Sequence, residues 1–114
     1  MTKQNISLIA SVLLFQVQES KTWIAQCLEW DVVAQGSSID NALASFERTF
    51  VGQIILDVDA GKLPLEGIAQ APKEYWKMFE KAKKIEDRKP FYLPTEMPPA
   101  YIITATAEDL RIAA

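Results

Sequence analysis

The run from Ile39 to Val58 constrains this chain more than any other segment. Ile39, Ala42, Leu43, Phe46, Phe50, Ile54 and Val58 recur mostly at steps of three or four residues, which aligns them along one side of an α-helix. A helix with such a stripe must bury it against something, and a β-rich surface supplied by the preceding residues is the expected cover. Ser38 suits the N-cap, Asp40 complements the helix dipole in the first turn, and Gly61 with Pro64 ends the helix. Val51 and Ile55 widen the stripe in its second half, which predicts an additional cover there from the following helix. Gly52 inside this helix permits the close approach of another helix or an aromatic ring, with Trp76 as the candidate, or else is a tolerated cost of about 1 kcal/mol.

Upstream, Ser7 to Gln18 is β-compatible and alternates towards its end, with Leu13, Phe15 and Val17 on one face and Leu14, Gln16 and Gln18 on the other. The short polar link Glu19-Ser20-Lys21 lets Thr22 to Glu29 return antiparallel, with Trp23, Ala25 and Cys27 on a shared face. Trp30-Asp31 interrupts this run, Val32 to Gln35 forms a short third strand, and Gly36 closes it. Downstream, Leu63 to Ala71 reads as a connection. Pro72 suits the first turn of a helix from about Lys73 to Glu86, with Tyr75, Met78, Phe79, Ala82 and Ile85 inward and Lys77, Lys81, Lys84 and Arg88 outward. Pro90, Pro94, Pro98 and Pro99 hold Lys89 to Pro99 extended, and Tyr101 to Thr106 has the β-branched and aromatic character of a last strand. The expected fold is α+β: a small antiparallel sheet of three to four strands on a long helix, then a second helix and a proline-rich tail ending in a strand.

At 114 residues, with 49% hydrophobic and 24% charged side chains, the chain is expected to form one domain. Residues 1–61 would supply a β-β-β-α core, 62–86 a loop and second helix, and 87–114 the extension and last strand. The formal charge is −3, and the stretch Lys73 to Lys89 carries seven Lys and Arg against four Asp and Glu, leaving the remainder near −6. That imbalance favours a basic protein partner over nucleic acid. There is no histidine and a single cysteine, Cys27, so the commonest general base and any intramolecular disulfide are missing. No catalytic residue, metal or cofactor is expected. The apolar stretch Ile6 to Phe15 is too short to cross a bilayer and is followed by no small-residue cleavage site, so a buried strand in a cytoplasmic protein is the expectation.

The order Trp23-Ile24-Ala25-Gln26-Cys27-Leu28-Glu29-Trp30-Asp31, then Val33-Ala34-Gln35-Gly36-Ser37-Ser38, then Asp40-Asn41-Ala42-Leu43 resembles the HicB-like antitoxin family. Its members combine an aromatic residue, an alanine two positions on, an acidic residue, then a glycine and a small hydroxyl residue opening an acidic helix. The resemblance covers roughly the first half of the chain. It implies a non-catalytic protein that sequesters a small RNA-cleaving toxin of the HicA type. After Thr106 only residues 107–114 remain, too few for the two helices of a ribbon-helix-helix unit, so direct DNA contact is not expected.

Under this reading the partner contact falls on Glu29, Trp30 and Asp31 and on the proline-flanked pair Phe91 and Tyr92, because exposed aromatics bury much area at small entropic cost. A homodimer is expected, with Tyr101 to Thr106 as an edge strand able to pair within the chain or between subunits. The rival reading keeps the fold and replaces the toxin partner, leaving a stand-alone adaptor, inhibitor or oligomerisation module.

Overall fold

A computed structural model describes residues 4–85, 89–93 and 101–113. The chain runs through β1 (Gln4–Val17), β2 (Thr22–Cys27), β3 (Val33–Gly36), α1 (Ile39–Asp59), α2 (Lys73–Lys81), β4 (Lys83–Ile85), β5 (Lys89–Phe91) and β6 (Tyr101–Ile112). The architecture is α+β, with a mixed sheet of six strands and two helices among the described residues. Strand order is β3-β2-β1-β6-β4, with β5 also paired to β6.

The β1–β2 hairpin turns at Lys21, which takes a left-handed φ of 57° and donates its N–H to Val17 O at 2.8 Å. Val12↔Cys27 to Val17↔Thr22 form its antiparallel register, and β3 adds antiparallel to β2. From β3 the chain enters α1 tightly. A Cβ on Gly36 would run into the backbone of Asn41 and Ala42, so glycine is required by this approach. Ser38 Oγ accepts the Asn41 N–H at 3.0 Å, and the Asn41 side chain donates to Ser37 Oγ at 2.7 Å, so two hydroxyls anchor the helix start. Its far end closes with Gly61 at φ 77°, the left-handed conformation glycine tolerates.

The helix stripe appears as expected: Ala42, Leu43, Phe46, Phe50, Ile54 and Val58 are buried. They meet the inner face of the sheet, including Leu8, Ala10, Val12, Leu14, Ala25 and Cys27. The cover on the second half of α1 differs from the expectation. α1 shares its core with Leu65, Phe91 and Ala105, whereas α2 lies on the opposite face of the sheet, where Tyr75, Trp76, Met78 and Phe79 cluster with Leu13, Phe15 and Leu28. Tyr75 stacks on Phe15 with ring centroids 5.9 Å apart. Gly52 likewise has no close neighbour, since nothing lies within 4 Å of a Cβ built there.

The sheet is mixed and not antiparallel. β1 and β6 run parallel from Gln4↔Tyr101 to Leu14↔Ile112, with a register shift beyond Ala10. The cause is the connection: parallel neighbours need a long crossover, and everything from β2 to β5 lies between these two strands. The second helix also stops earlier than expected. Ala82 turns extended at ψ 154°, and Lys83 to Ile85 joins β6 with Ile85 opposite Leu110. Ladder pairing thus overrides helical propensity, and Ile85 packs into the α1-side core and not beside Phe79. In the proline-rich segment, Lys89 to Phe91 pairs with Ala105 to Ala107. Pro94, Pro98 and Pro99 lie outside the described residues, as do Glu86, Asp87 and Arg88.

Gly36 and Gly52 make a paired test in urea denaturation. Gly36→Ala should lower stability by about 1–3 kcal/mol through forced backbone shifts, whereas Gly52→Ala, in open space on a helix, should raise it by about 0.5–1 kcal/mol.

Candidate partner-binding site

β2 leaves the ladder at Cys27, and the residues that follow form a tight loop over the edge of β1. Cys27 N–H donates to Val32 O at 3.0 Å and Val32 N–H to Trp30 O at 2.7 Å. Leu28 N–H still reaches Ser11 O at 3.0 Å, but the reciprocal bond is made by a side chain: Ser11 N–H donates to Glu29 Oε1 and Ser11 Oγ to Glu29 Oε2, both at 2.8 Å. The Glu29 carboxylate therefore replaces the missing strand neighbour. On the other side of the loop, Asp31 N–H donates to Ala69 O at 2.7 Å and Ala71 N–H to Leu28 O at 2.9 Å. Gln26, the one buried polar residue among those described, bridges Cys27 O and Asp31 Oδ1 through Nε2 at 2.9 Å each. Leu28 to Asp31 is thus tied down at both ends.

The five residues expected at a partner surface divide by environment. Asp31 is exposed. Glu29 is half-buried and engaged by Ser11. Trp30 is half-buried with its ring edge-on to Phe50, centroids 5.9 Å apart. Phe91 departs from the expectation of an exposed anchor: it is 6% exposed, wedged 5.8 Å from Phe46 and 5.5 Å from Phe50. An apolar ring facing inward from a strand paired to β6 is worth more in the core than in water. Tyr92, the next residue, is 81% exposed. Trp30 and Phe91 both rest on Phe50, so this ring joins two segments far apart in sequence.

The remaining chemistry-bearing groups serve the fold. Cys27 is buried and donates weakly to Glu29 Oε1 at 3.7 Å. Desolvation by burial, reinforced by the Glu29 charge against the opposing backbone hydrogen bonds, pushes its thiol up to about 12, the reverse of what a nucleophile requires. Asp57 accepts from Leu65 N–H at 2.7 Å and from Gln53 at 3.0 Å, holding Leu65 in a left-handed conformation with φ 65°. Arg111 grips the end of α2, donating to Phe79 O at 3.1 Å and lying 4.3 Å above the Phe79 ring. Its hydrogen bonds to Asp109 raise its pKa further. Among the described residues no three His, Cys, Asp or Glu side chains converge as metal ligands, and no helix is long and apolar enough to cross a membrane.

Ser11 and Phe50 were not foreseen as parts of this site. A lone hydroxyl inside an apolar strand offers a faint sequence signal for Ser11, since an inward or edge-facing serine needs a partner. Phe50 is indistinguishable from its stripe neighbours by spacing alone. No protein-family model matches the chain, and no curated protein or solved structure was found to match it.

Glu29→Ala should leave the Ser11 N–H without its acceptor and cost about 1–3 kcal/mol in chemical denaturation. Iodoacetamide at pH 8 should leave Cys27 unmodified in the native protein and label it in denaturant, as read by mass spectrometry. The stability linked to this thiol is complete below its ordinary pKa of 9.0 and declines as pH rises towards about 12, because the unfolded chain ionises first.

Proposed function

We propose that this chain is a cytoplasmic, non-catalytic binding protein of the HicB-like antitoxin type, which blocks the active surface of a small RNA-cleaving toxin of the HicA type. The observation that carries the reading is the convergence on Phe50. The Glu29-Trp30-Asp31 loop and the Phe91-Tyr92 segment rest on one ring, through Trp30 and Phe91, while Asp31 and Tyr92 are exposed. In this reading Tyr92 is the aromatic anchor and Asp31 the charged contact. Trp30 contributes its exposed part, Glu29 holds the loop through Ser11, and Phe91 fixes Tyr92 from below. A protein that binds RNA phosphates presents basic groups, so an exposed carboxylate such as Asp31 suits its active surface.

Two further features support the same reading. The strand order and the tight Gly36 passage into a hydroxyl-capped helix belong to the segment that carries the family resemblance. The carboxylates of Glu29, Asp31 and Asp57 are each engaged in hydrogen bonds that hold backbone or neighbouring side chains.

Affinity capture of the tagged chain from its native host should recover a small basic protein in stoichiometric amount, and that protein should cleave RNA unless the wild-type chain is present. Asp31→Arg combined with Tyr92→Ala should weaken inhibition by about tenfold or more. Recovery of nothing except the chain itself would favour an oligomerisation module over an antitoxin.

A further inference from the structure

Among the described residues, no strand lies against one edge of β1 between Gln4 and Ala10. β6 occupies the other edge, and β2 begins to pair only at Val12. The side on which backbone groups point can be assigned. Ser11 makes both of its backbone hydrogen bonds towards the β2 side, whereas Leu14 O accepts from Ala113 N–H on the β6 side. Backbone groups alternate along a strand, so Asn5, Ser7 and Ile9 turn their N–H and C=O groups to the open edge. All three residues are exposed, and Ile9 is 48% exposed.

Edges of this kind are normally blunted by lysine, proline or a bulge. Here Gln4 to Ser11 and, beside them, Tyr101 to Ala107 contain no Asp, Glu, Lys or Arg, in a chain where 24% of residues are charged. The register shift between the two strands falls beyond Ala10, outside the open stretch. At about 3.3 Å per residue the 14-residue β1 reaches roughly 46 Å, close to the 51 Å long axis of the molecule, against 25 and 24 Å across it. The open edge therefore lies towards one end of an elongated body, where a second chain can approach.

We propose that this edge pairs antiparallel with the same edge of a second copy, about a two-fold axis at Ser7, so that one sheet runs through the dimer. In this register Ser7 exchanges two hydrogen bonds with its counterpart, and Asn5 and Ile9 of each copy exchange two with Ile9 and Asn5 of the other. On the inner face Ile6 comes opposite Leu8, apolar against apolar. A two-fold axis sets each residue near its own image, so a charge close to Ser7 would meet like charge. The uncharged stretch satisfies that condition and meets its own image without like-charge repulsion, whereas a basic partner is drawn to the exposed Asp31. The axis stands perpendicular to the sheet and keeps both inner faces on one side. The cleft of about 430 Å³ between Gln4 to Ser7 and Leu63, Pro64 and Glu66 then adjoins the joint in both copies, adding half-exposed Leu63 to the buried surface. We assign the homodimer expected from Tyr101 to Thr106 to a different strand, since β6 pairs with β1 along one edge and with β5 from Ala105 to Ala107 along the other.

Light scattering at micromolar concentration should give a mass of two chains for the wild type. Ser7→Lys and Ser7→Pro should each give one chain with an unchanged circular dichroism spectrum, because the Ser7 side chain is exposed and its N–H serves no intramolecular ladder. Asn5→Lys provides a second charged variant should either of these fail to fold. In the wild type, amide exchange at Asn5, Ser7 and Ile9 should slow as concentration rises, with Ile6 and Leu8 protected throughout. A single-chain mass for the wild type across the micromolar range overturns the proposal. So does a two-chain mass that survives these substitutions in folded protein, which would place the interface elsewhere.

Discussion

Val12, Leu13 and Leu14 are consecutive strand residues with no solvent exposure. Because successive strand side chains point to opposite faces, this burial requires cover on both sides of the sheet at the same place. α1 provides it on the side of Val12 and Leu14, and α2 with Ala71 on the side of Leu13. The hairpin, the loop after β2 and the last strand all take their positions from this doubly covered centre. Moving away from it along β1 towards Gln4, the second face loses its helix and the strand loses its β2 neighbour. The same strand is thereby core at one end and surface at the other.

Periodicity revealed what a single element must do, and stopped where two elements had to be matched. The α1 stripe, its Ser38 cap, the hairpin and the late strand could all be read because each rests on local spacing or turn chemistry. The parallel pairing of β1 with β6 could not, since an alternating apolar pattern says which face is buried without saying which strand lies beside it. The side of the sheet taken by α2 was hidden for the same reason: Tyr75 and Phe79 mark an inward face, and both faces of β1 needed filling. Lys83 to Ile85 read as helix because its charges continue the spacing of α2, and only the ladder with β6 makes it a strand.

The candidate site shows a similar boundary. Glu29, Trp30 and Asp31 stood out as an acidic and aromatic break between strands, and Tyr92 is as exposed as a contact residue should be. The role of Glu29 depends on Ser11, eighteen residues upstream, and the inward turn of Phe91 depends on a strand pairing that three prolines further along the tail obscured. The carboxylates of Glu29 and Asp57 act in the structure as acceptors for backbone N–H groups. Geometry turns them into struts.

The parallel ladder between β1 and β6 also bears on how the protein is made. Gln4 lies opposite Tyr101, so β1 leaves the ribosome long before its parallel neighbour arrives. During synthesis the β1–β2–β3 hairpins and α1 can assemble from local contacts, but the apolar first strand remains uncovered along one side until β6 emerges. Contacts of such long range slow the final step of folding and prolong exposure of aggregation-prone surface. The chain is most vulnerable to misassembly in the interval before β6 can pair with β1.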